Sequence, residues 1–390
     1  MSIPGNTIPL QKRTSRLNAL QSFRGIAAFA VIINHILACY PTGNTVTDSL
    51  FPAIANSHAA VVVFFVLSGF VLSFSLEKCT ATVSDVISFY IKRIFRILPL
   101  LIVITALSIL YTLAPISTRS VSAGNSFLSG LMEHGPLISQ VAVIKCFLGL
   151  ASHYVPQNWT LTTELLVALV FPFFFFISRK DWNWFFCLLL LTLTLSFVAT
   201  YQSGGVWLPA IYTVDFVIGI GCYRLWQERG GVSHSSSSPV FLIGLAALLL
   251  GNPLVHIISG TMPSFHSATV SLIEALAAAM MIFELASGRG MHRFLERPSL
   301  VYLGNISYGL YITHFLVLVI LARLMNTFLL SVDPAWRWII MSISVNAVTV
   351  VLAACFYPLI ELPFNRLGKI IASNVANWTA PKKKSFQLFR

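Results

Sequence analysis

The sequence predicts an all-α protein, a polytopic transmembrane helix bundle of about ten spans with its N- and C-termini in the cytoplasm. Its 390 residues are 56% hydrophobic and only 10% charged. A soluble globular domain carries roughly 25% charged residues, so this chain has too little charge to cover a water-facing surface. Apolar runs of the length that crosses a bilayer, about 20 residues, recur along the whole chain.

Each predicted span is placed on one of these apolar runs, in chain order. The spans are residues 24–40, 58–76, 97–114, 158–178, 184–200, 209–226, 240–259, 267–286, 301–322 and 338–358. The apolar stretch 137–151 is shorter and interrupted, so we expect a re-entrant or interfacial segment there. The predicted organisation is a cytoplasmic N-terminal segment (1–23), a membrane domain (24–360) and a basic cytoplasmic tail (361–390).

The distribution of basic residues supports this topology. With the N-terminus inside, only Arg119, Lys145, Arg323 and Arg337 of the 25 lysines and arginines fall in outer loops, as the positive-inside rule requires. The net charge of +12 is therefore explained by topology, and we expect no nucleic-acid partner. Membrane lipids are expected partners, because the lysines at 382–384 would be attracted to anionic headgroups.

The six cysteines give no sign of a metal site. No two of them are spaced as in a CxxC or zinc pattern, and most lie inside apolar runs. Cysteines in such positions behave as small hydrophobic residues. We therefore expect no bound metal.

Two ionisable residues share one face of the first span, which reads SFRGIAAFAVIINHI. Arg24 and His35 are eleven residues apart, so they project within about 20° of each other and are separated by roughly 16 Å along the helix axis. A pantetheine arm could bridge that distance, with coenzyme A phosphates at Arg24 and a thioester at His35. A neutral imidazole can accept a proton from a hydroxyl group, which makes His35 a candidate general base.

Charged side chains inside spans are costly and often functional. Glu164, Asp215 and Glu274 lie at a depth similar to that of His35 and His314, so the five are expected to share one polar cavity. Glu164 is the predicted partner that orients His35. Asp215 and Glu274 are expected to pair with hydroxyl groups in a structural role.

A basic segment, YIKRIFRILP, precedes the third span. Arg93 and Arg96 are three residues apart and therefore share a helix face. Because arginine binds phosphate well, they are predicted to join Arg24 in binding coenzyme A. Lys92 is interpreted as ordinary positive-inside charge.

Six motifs, in order, resemble those of the acyltransferase type 3 family, integral membrane acyltransferases of which many O-acetylate bacterial surface polysaccharides. The resemblance runs from about Leu17 to Lys369. The motifs are LNALQSFRGIAAFAVIINH, FFVLSGFVLS, YIKRIFRILP, NWTLTTELLVALVFP, YLGNISYGLYITHF and YPLIELPFNR. Leu165 stands where the family often has a second acidic residue, which weakens any mechanism that needs two carboxylates.

The resemblance implies that the arginine and histidine of the first span are essential and that acetyl-CoA is the acyl donor. The predicted catalytic residues are His35 and Glu164. The predicted substrate-binding residues are Trp159, Tyr308, Tyr311 and His314.

The leading prediction is a membrane O-acetyltransferase in the bacterial inner membrane. It would move an acetyl group from cytoplasmic acetyl-CoA to a hydroxyl of a cell-surface or lipid-linked glycan, such as lipopolysaccharide. His35 would act as general base or as a transient acyl carrier. The alternative is a proton-coupled transporter or flippase, which ten spans with buried His and Glu residues also suit. A transmembrane scaffold is a third possibility, but it leaves these ionisable residues unexplained.

Overall fold

The computed structural model describes residues 10–132, 139–204, 206–230, 239–260 and 264–379, and the lysines at 382–384 lie outside these ranges. The described ranges contain sixteen α-helices and no β-strand. The helices are α1 Leu10–Cys39, α2 Thr45–Ile54, α3 Ser57–Leu76, α4 Val83–Leu113, α5 Ser126–Met132, α6 Gln140–Phe147, α7 Asn158–Ser178, α8 Trp182–Ser203, α9 Leu208–Glu228, α10 Pro239–Ser259, α11 Ala268–Ala286, α12 His292–Leu295, α13 Pro298–Asn305, α14 Ser307–Leu330, α15 Pro334–Phe356 and α16 Leu362–Thr379. A 3₁₀ helix, Pro115–Thr118, follows α4, and a π-helical turn, Tyr357–Glu361, joins α15 to α16.

Ten candidate membrane spans occur in the described residues, and each overlaps one predicted span. They are Leu17–Cys39, Thr45–Leu76, Val83–Leu113, Asn158–Ser178, Trp182–Ser203, Leu208–Glu228, Pro239–Ser259, Ala268–Ala286, Ser307–Leu330 and Pro334–Val375. The predicted fold class, an all-α transmembrane bundle of about ten spans, is confirmed. The cytoplasmic location of the two termini stays a prediction.

Local sequence signals explain where several spans begin and end. The Asn56 side chain accepts the Ala59 N–H at the start of α3. Thr82 and Asp85 form a reciprocal capping box at the start of α4. Such caps satisfy backbone N–H groups that have no partner inside the helix. Gly204 follows α8 with φ of 58°, a left-handed conformation that favours glycine and ends the helix.

The predicted interfacial segment at 137–151 does not span the membrane. In its described part it contains α6, which has only eight residues, and none of the candidate spans includes it. Residues 133–138 lie outside the described ranges. The described parts of the region 115–157 are therefore short helices and loops.

The last two predicted spans differ from the structure at their ends. The ninth, predicted at 301–322, is divided between α13 and the span Ser307–Leu330. The tenth continues past residue 358 into α16, so its apolar helical segment covers 42 residues. At 1.5 Å per residue this is about 63 Å, roughly twice the hydrocarbon thickness of a bilayer. Much of the predicted tail is therefore a helix that extends beyond the span.

Glycines allow two pairs of helices to pack closely. A Cβ atom at Gly69 of α3 would collide with the Phe216 carbonyl group of α9, and the backbones of Gly69 and Gly219 face each other at this crossing. A Cβ atom at Gly304 of α13 would likewise collide with the Gln21 backbone of α1. Close approach over small residues is a common way for membrane helices to pack.

The helices form two groups that α1 connects. Helices α3, α7, α8 and α11 surround α9, while α14 pairs with α15 and α10 with α11. Helix α1 contacts α3 and α11 in the first group and α13, α14 and α15 in the second. Helix α16 lies along α4. A space remains between α1, α3, α4, α7 and α14, where five of the six predicted motifs meet.

One face of the bundle collects the ends of many helices, and we call it the N-terminal face because α1 begins there. On this face Arg179 Nη1 donates to the Glu77 carbonyl oxygen (3.3 Å) and Trp182 Nε1 donates to Glu228 Oε1 (2.9 Å). Ser22 Oγ donates to the Leu295 carbonyl oxygen (2.5 Å). These contacts join the ends of α3, α7, α9 and α12 with α1 and with the start of α8.

Candidate active site

A cavity of about 250 Å³ lies between α1, α3, α4, α7 and α14, and we call it the arginine cavity. Six of the nine predicted site residues line it, together with Ser68 of the second motif. The six are Arg24, Arg93, Arg96, Glu164, Tyr308 and Tyr311. The other three, His35, Trp159 and His314, are not among its lining residues.

Glu164 and Arg93 form the strongest polar contact in the arginine cavity. Arg93 Nη2 lies 2.6 Å from Glu164 Oε1, and the Ser68 hydroxyl donates to the same oxygen at 3.3 Å. The Arg93 side chain is 8% exposed and that of Glu164 is 25% exposed. Buried charges need a charged partner, so the contact between α4 and α7 holds both side chains in place.

Arg24 of α1 and Arg96 of α4 complete a group of charges around Glu164. Coulombic interactions link both arginines to Glu164 and to Glu361 in the turn after α15. With Arg93, three guanidinium groups face two carboxylates, which leaves one positive charge in excess. Because arginine binds phosphate through paired donors, this excess suits an anionic ligand.

The two tyrosines of the cavity use their hydroxyl groups differently. The Tyr308 hydroxyl donates to the Ile97 carbonyl oxygen at 2.7 Å. The Tyr311 hydroxyl lies 3.0 Å from Thr160 Oγ1 on α7. Tyr308 is therefore fixed by the backbone of α4, whereas Tyr311 is held through a contact between two side chains.

His35 and His314 form a hydrogen-bonded pair next to the arginine cavity. His35 Nδ1 lies 3.1 Å from His314 Nε2, and the two rings are stacked with an interplanar angle of 2°. His314 Nδ1 lies 2.6 Å from the Tyr311 carbonyl oxygen. The Phe315 ring packs against His35 at 4.5 Å. His35 therefore points into the bundle and is enclosed by aromatic rings.

The hydrogen bonds of this pair fix the tautomers of two neutral imidazoles. A carbonyl oxygen only accepts, so Nδ1 of His314 carries the hydrogen and its Nε2 is an acceptor. Nδ1 of His35 must then donate to that acceptor, which leaves the lone pair of His35 on Nε2. A lone pair held in this way is suited to accept a proton or to attack a carbonyl carbon.

The prediction that Glu164 orients His35 is wrong in the structure. The hydrogen-bond partner of His35 is His314, and Glu164 binds Arg93 instead. The physical reason is helix orientation, because the face of α1 that carries His35 is turned towards α14. His314, which was predicted to bind substrate, is fully buried. It makes the contact with His35 that was predicted for Glu164.

An aromatic side chain separates the arginine cavity from the histidine pair. Tyr311 lines the cavity, and its ring centre lies 5.8 Å from that of His314. Phe64 packs edge-on against Tyr311 at 5.6 Å. The direct path expected for a pantetheine arm from Arg24 to His35 is therefore interrupted, because the rings of Phe64 on α3 and Tyr311 on α14 lie between the cavity and the histidine pair.

Comparison with known proteins identifies the family of this chain. The profile of a family described as an acyltransferase domain matches residues 17–354. The chain belongs to the acyltransferase 3 family. The matched segment contains all nine predicted site residues, and it confirms the resemblance inferred from the motifs. Membership favours the acyltransferase prediction over the transporter and scaffold alternatives.

Two curated relatives are similar over nearly their whole length. Acyltransferase MdmB of Streptomyces mycarofaciens is 26% identical, over 91% of this chain and 93% of its own. Nodulation protein 10 of Rhizobium leguminosarum bv. viciae is 23% identical, over 90% of this chain and 94% of its own. No solved structure is significantly similar to the chain. The protein is therefore a multi-pass membrane acyltransferase.

A second polar network in this acyltransferase involves residues that the sequence analysis did not connect. Glu274 Oε2 lies 2.5 Å from His58 Nδ1, and His58 Nε2 lies 2.9 Å from the Tyr212 hydroxyl. The same hydroxyl lies 2.8 Å from His266 Nδ1. Asn56 Nδ2 donates to the other Glu274 oxygen at 3.0 Å. This network joins α3, α9 and α11. The sequence contained one sign of it, because His58 is an ionisable residue inside the second predicted span.

The ionisable residues of similar depth do not share one cavity. The Ser271 hydroxyl donates to Asp215 at 3.1 Å, as predicted, whereas Glu274 binds His58 and not a hydroxyl. Glu164 belongs to the arginine cavity, apart from the histidine pair. The prediction of a common polar cavity is wrong, because equal depth does not specify which way each helix faces.

Trp159, a predicted substrate-binding residue, contacts the second network. Its ring centre lies 5.6 Å from that of Tyr212 and 5.0 Å from that of His266. Its neighbour Thr160 contacts Tyr311. Trp159 therefore packs between the two polar regions without lining the arginine cavity.

The described residues contain no group of three or more His, Cys, Asp or Glu side chains that could hold a metal ion. All six cysteines are free thiols.

Proposed function

We propose that the protein is an O-acetyltransferase that uses acetyl-CoA and transfers the acetyl group to a hydroxyl of a glycan or lipid-linked saccharide. The observation that carries this proposal is the position of the histidine pair. It lies one side chain away from a cavity that has an excess of positive charge. The cavity offers binding for an anionic acyl donor, and His35 offers a base.

The arginine cavity is the proposed donor site. Arg24, Arg93 and Arg96 would contact the phosphates of coenzyme A, which are anionic at neutral pH. Glu164 keeps Arg93 in place through the contact at 2.6 Å. Its proposed role is therefore to position a phosphate-binding arginine.

His35 is the proposed general base of direct transfer. Its Nε2 takes the proton of the acceptor hydroxyl while that oxygen attacks the thioester carbonyl carbon. A carbon–oxygen bond forms, the carbon–sulfur bond breaks, and the proton passes from His35 to the departing thiolate. His314 holds the tautomer that this step needs.

A covalent route uses the same nitrogen. Nε2 of His35 attacks the thioester carbonyl carbon and the thiolate leaves, which gives an acetyl-imidazole on the enzyme. The acceptor oxygen then attacks the acetyl carbon, the carbon–nitrogen bond breaks, and the hydroxyl proton passes to the released Nε2 and from there to the thiolate, which regenerates the neutral imidazole. Trapping of radiolabelled acetyl on the protein separates this route from direct transfer.

Tyr311 is the proposed gate between donor and base. Its ring lies between the arginine cavity and His314, so the thioester reaches His35 only when this ring moves. The contact between Tyr311 and Thr160 at 3.0 Å is the side-chain hydrogen bond that would break. Trp159 is proposed to line the path to the acceptor, and Tyr308, which lines the arginine cavity, is proposed to contact the donor.

The proposed location is the bacterial inner membrane, with the N-terminal face in the cytoplasm. The loop charges support this orientation through the positive-inside rule, and both curated relatives come from bacteria. Acetyl-CoA would then enter from the cytoplasm. The acceptor would meet His35 nearer to the opposite face.

Donor binding by the purified protein tests the proposal. Wild-type protein in neutral detergent should bind radiolabelled acetyl-CoA, and Arg24→Ala should weaken binding at least about tenfold, since hydrogen bonds to charged groups contribute about 1.5–3 kcal/mol. Arg366→Gln, on α16 and outside the cavity lining, is the control and should bind like wild type. Wild-type protein that does not bind acetyl-CoA would contradict the proposal.

The acceptor is identified in cells. Mass spectrometry of surface and lipid-linked glycans, from cells with and without the gene, should reveal an added mass of one acetyl group that depends on the gene. Cells that carry His35→Ala should lack it. Identical glycans in all three strains would contradict a glycan acceptor.

A further inference from the structure

A second, larger cavity opens on the N-terminal face between the end of α3, the first half of α4 and α16. Its volume is about 540 Å³, and we call it the α16 cavity. Val71, Leu72, Arg93 and Arg96 line both this cavity and the arginine cavity. The two cavities are therefore adjacent chambers that share a wall of four residues.

Beyond the two shared arginines, the α16 cavity has a lysine from each of two helices. Lys92 projects from α4 and Lys369 from α16, and both are exposed. Asp85 also lines the cavity, but its Oδ2 accepts hydrogen bonds from Thr80 and Thr82 at the start of α4, both at 2.9 Å. Within the described ranges no ion pair joins either lysine to a carboxylate.

Packing of α16 against α4 determines where Lys369 lies. The Ser88 hydroxyl donates to the Ala372 carbonyl oxygen at 3.0 Å. A Cβ atom at Gly368 would meet the Phe95 side chain, so the glycine lets the two helices approach closely. These two contacts bracket Lys369 and hold it opposite the lysine of α4.

We propose that the α16 cavity binds the 3′-phosphorylated adenosine end of coenzyme A, and that Lys92 and Lys369 contact its 3′-phosphate. This inference rests on the proposed use of acetyl-CoA as donor. It assigns a role to Lys92, which the sequence analysis interpreted as ordinary topological charge. It also gives a ligand-binding role to α16, which lies beyond the segment matched by the family profile.

The shape and charge of the two chambers support this division. Coenzyme A carries its diphosphate between the pantetheine arm and the ribose, and its third phosphate on the far side of that ribose. The shared arginines lie at the junction of the chambers, where the diphosphate would lie if the arm fills the smaller one. The 3′-phosphate would then fall in the larger chamber, which holds the two lysines. Both volumes suit parts of one ligand, because ligand sites measure roughly 300–1,000 Å³ in total.

Comparing coenzyme A with 3′-dephospho-coenzyme A isolates the proposed contact. The affinity of purified full-length protein for each compound is measured by competition with radiolabelled acetyl-CoA in neutral detergent. Wild-type protein should prefer coenzyme A by about 10–100-fold, the range expected for charge-assisted contacts to one phosphate. The Lys92→Gln and Lys369→Gln double variant should lower this preference to near unity while it binds the dephosphorylated compound almost as wild type does.

Arg366→Gln provides the matched control. Arg366 is an exposed cation on the same helix but does not line the α16 cavity, so its loss should leave the preference unchanged. Equal preference in wild type and the double variant would overturn this inference and leave acetyl-CoA as the donor. Failure of wild-type protein to bind either compound would overturn the donor assignment and this inference together.

A phospholipid headgroup could supply similar phosphate chemistry, and a second arm separates the two sources. The same affinities are measured in nanodiscs of phosphatidylcholine with and without phosphatidylglycerol. The preference for coenzyme A should persist in both. If phosphatidylglycerol abolishes coenzyme A binding to wild type but not to the double variant, and the 3′-phosphate has no effect, the cavity binds lipid and the inference is overturned.

Discussion

His35 Nδ1 lies 3.1 Å from His314 Nε2, and the two imidazole rings are nearly parallel. His314 Nδ1 donates to the Tyr311 carbonyl oxygen, so His314 Nε2 accepts the hydrogen bond from His35 Nδ1. The lone pair that remains free in the pair is therefore on Nε2 of His35. Two helices distant in sequence, α1 and α14, therefore supply one hydrogen-bonded pair, which contains the proposed general base. The proposed mechanism depends on this contact.

Loss of the histidine pair should affect chemistry more than donor binding. His35→Ala should lower kcat by about 10²–10⁴-fold, the usual contribution of a general base, while the Kd for acetyl-CoA changes little. His256→Ala is the control, because His256 lies on α10, outside the lining of both cavities. Full activity of His35→Ala would refute the proposed mechanism.

The partner of His35 can be identified from pH profiles. His314→Phe keeps a ring but removes the acceptor that fixes the His35 tautomer, so it should lower kcat and shift its dependence on pH. Glu164→Gln should leave the shape of that profile unchanged and should weaken acetyl-CoA binding, because Arg93 loses its carboxylate. A shifted profile in Glu164→Gln with an unchanged one in His314→Phe would restore the role predicted from sequence.

The crossing of α3 and α9 should not tolerate a side chain. Gly69→Ala places a Cβ atom against the Phe216 carbonyl group, and overpacking of this kind costs about 1–3 kcal/mol. The thermal unfolding midpoint in detergent should fall. Gly130→Ala on α5, where a Cβ meets no atom within 4 Å, should leave the midpoint nearly unchanged. Equal midpoints for the two variants would contradict the close crossing.

The loop residue His266 should make stability depend on pH. Burial and the nearby His58 lower the pKa of His266 from 6.5 to about 4, so the unfolded chain binds its proton at higher pH than the folded chain does. The resulting stability is present above pH 6.5 and is lost as the pH falls towards 4. Thermal unfolding midpoints measured between pH 7 and 4 should decline, and His266→Asn should make the decline shallower. A decline as steep in His266→Asn would contradict this assignment.

The orientation of the bundle can be tested with reporter fusions. Green fluorescent protein fused to the C-terminus should fluoresce, because it folds in the cytoplasm. Alkaline phosphatase inserted after Ser122, in a loop of the opposite face, should be active, since it needs an oxidising compartment. The reverse pattern would place the N-terminal face outside and would contradict entry of acetyl-CoA from that side.

Part of the candidate site followed from the sequence because its residues belong to recognisable motifs. Arg24, Arg93, Arg96 and Glu164 come from three motifs and meet in one cavity. The contact between Arg93 and Glu164 was not foreseen, because opposite charges on two helices can pair only if those helices face each other. Lys369 was not foreseen either, since nothing in its local sequence shows that α16 packs along α4.

The sequence by itself determined the number of spans and the class of the protein. Bilayer thickness sets the length of an apolar run, and motif order identifies a family, so both can be recognised along a single chain. The tertiary structure decided which ionisable groups meet. The rotation of each helix about its own axis depends on how the helix packs against its neighbours. Packing therefore placed His314, and not Glu164, against His35. It also placed the Tyr311 ring between this histidine pair and the arginines.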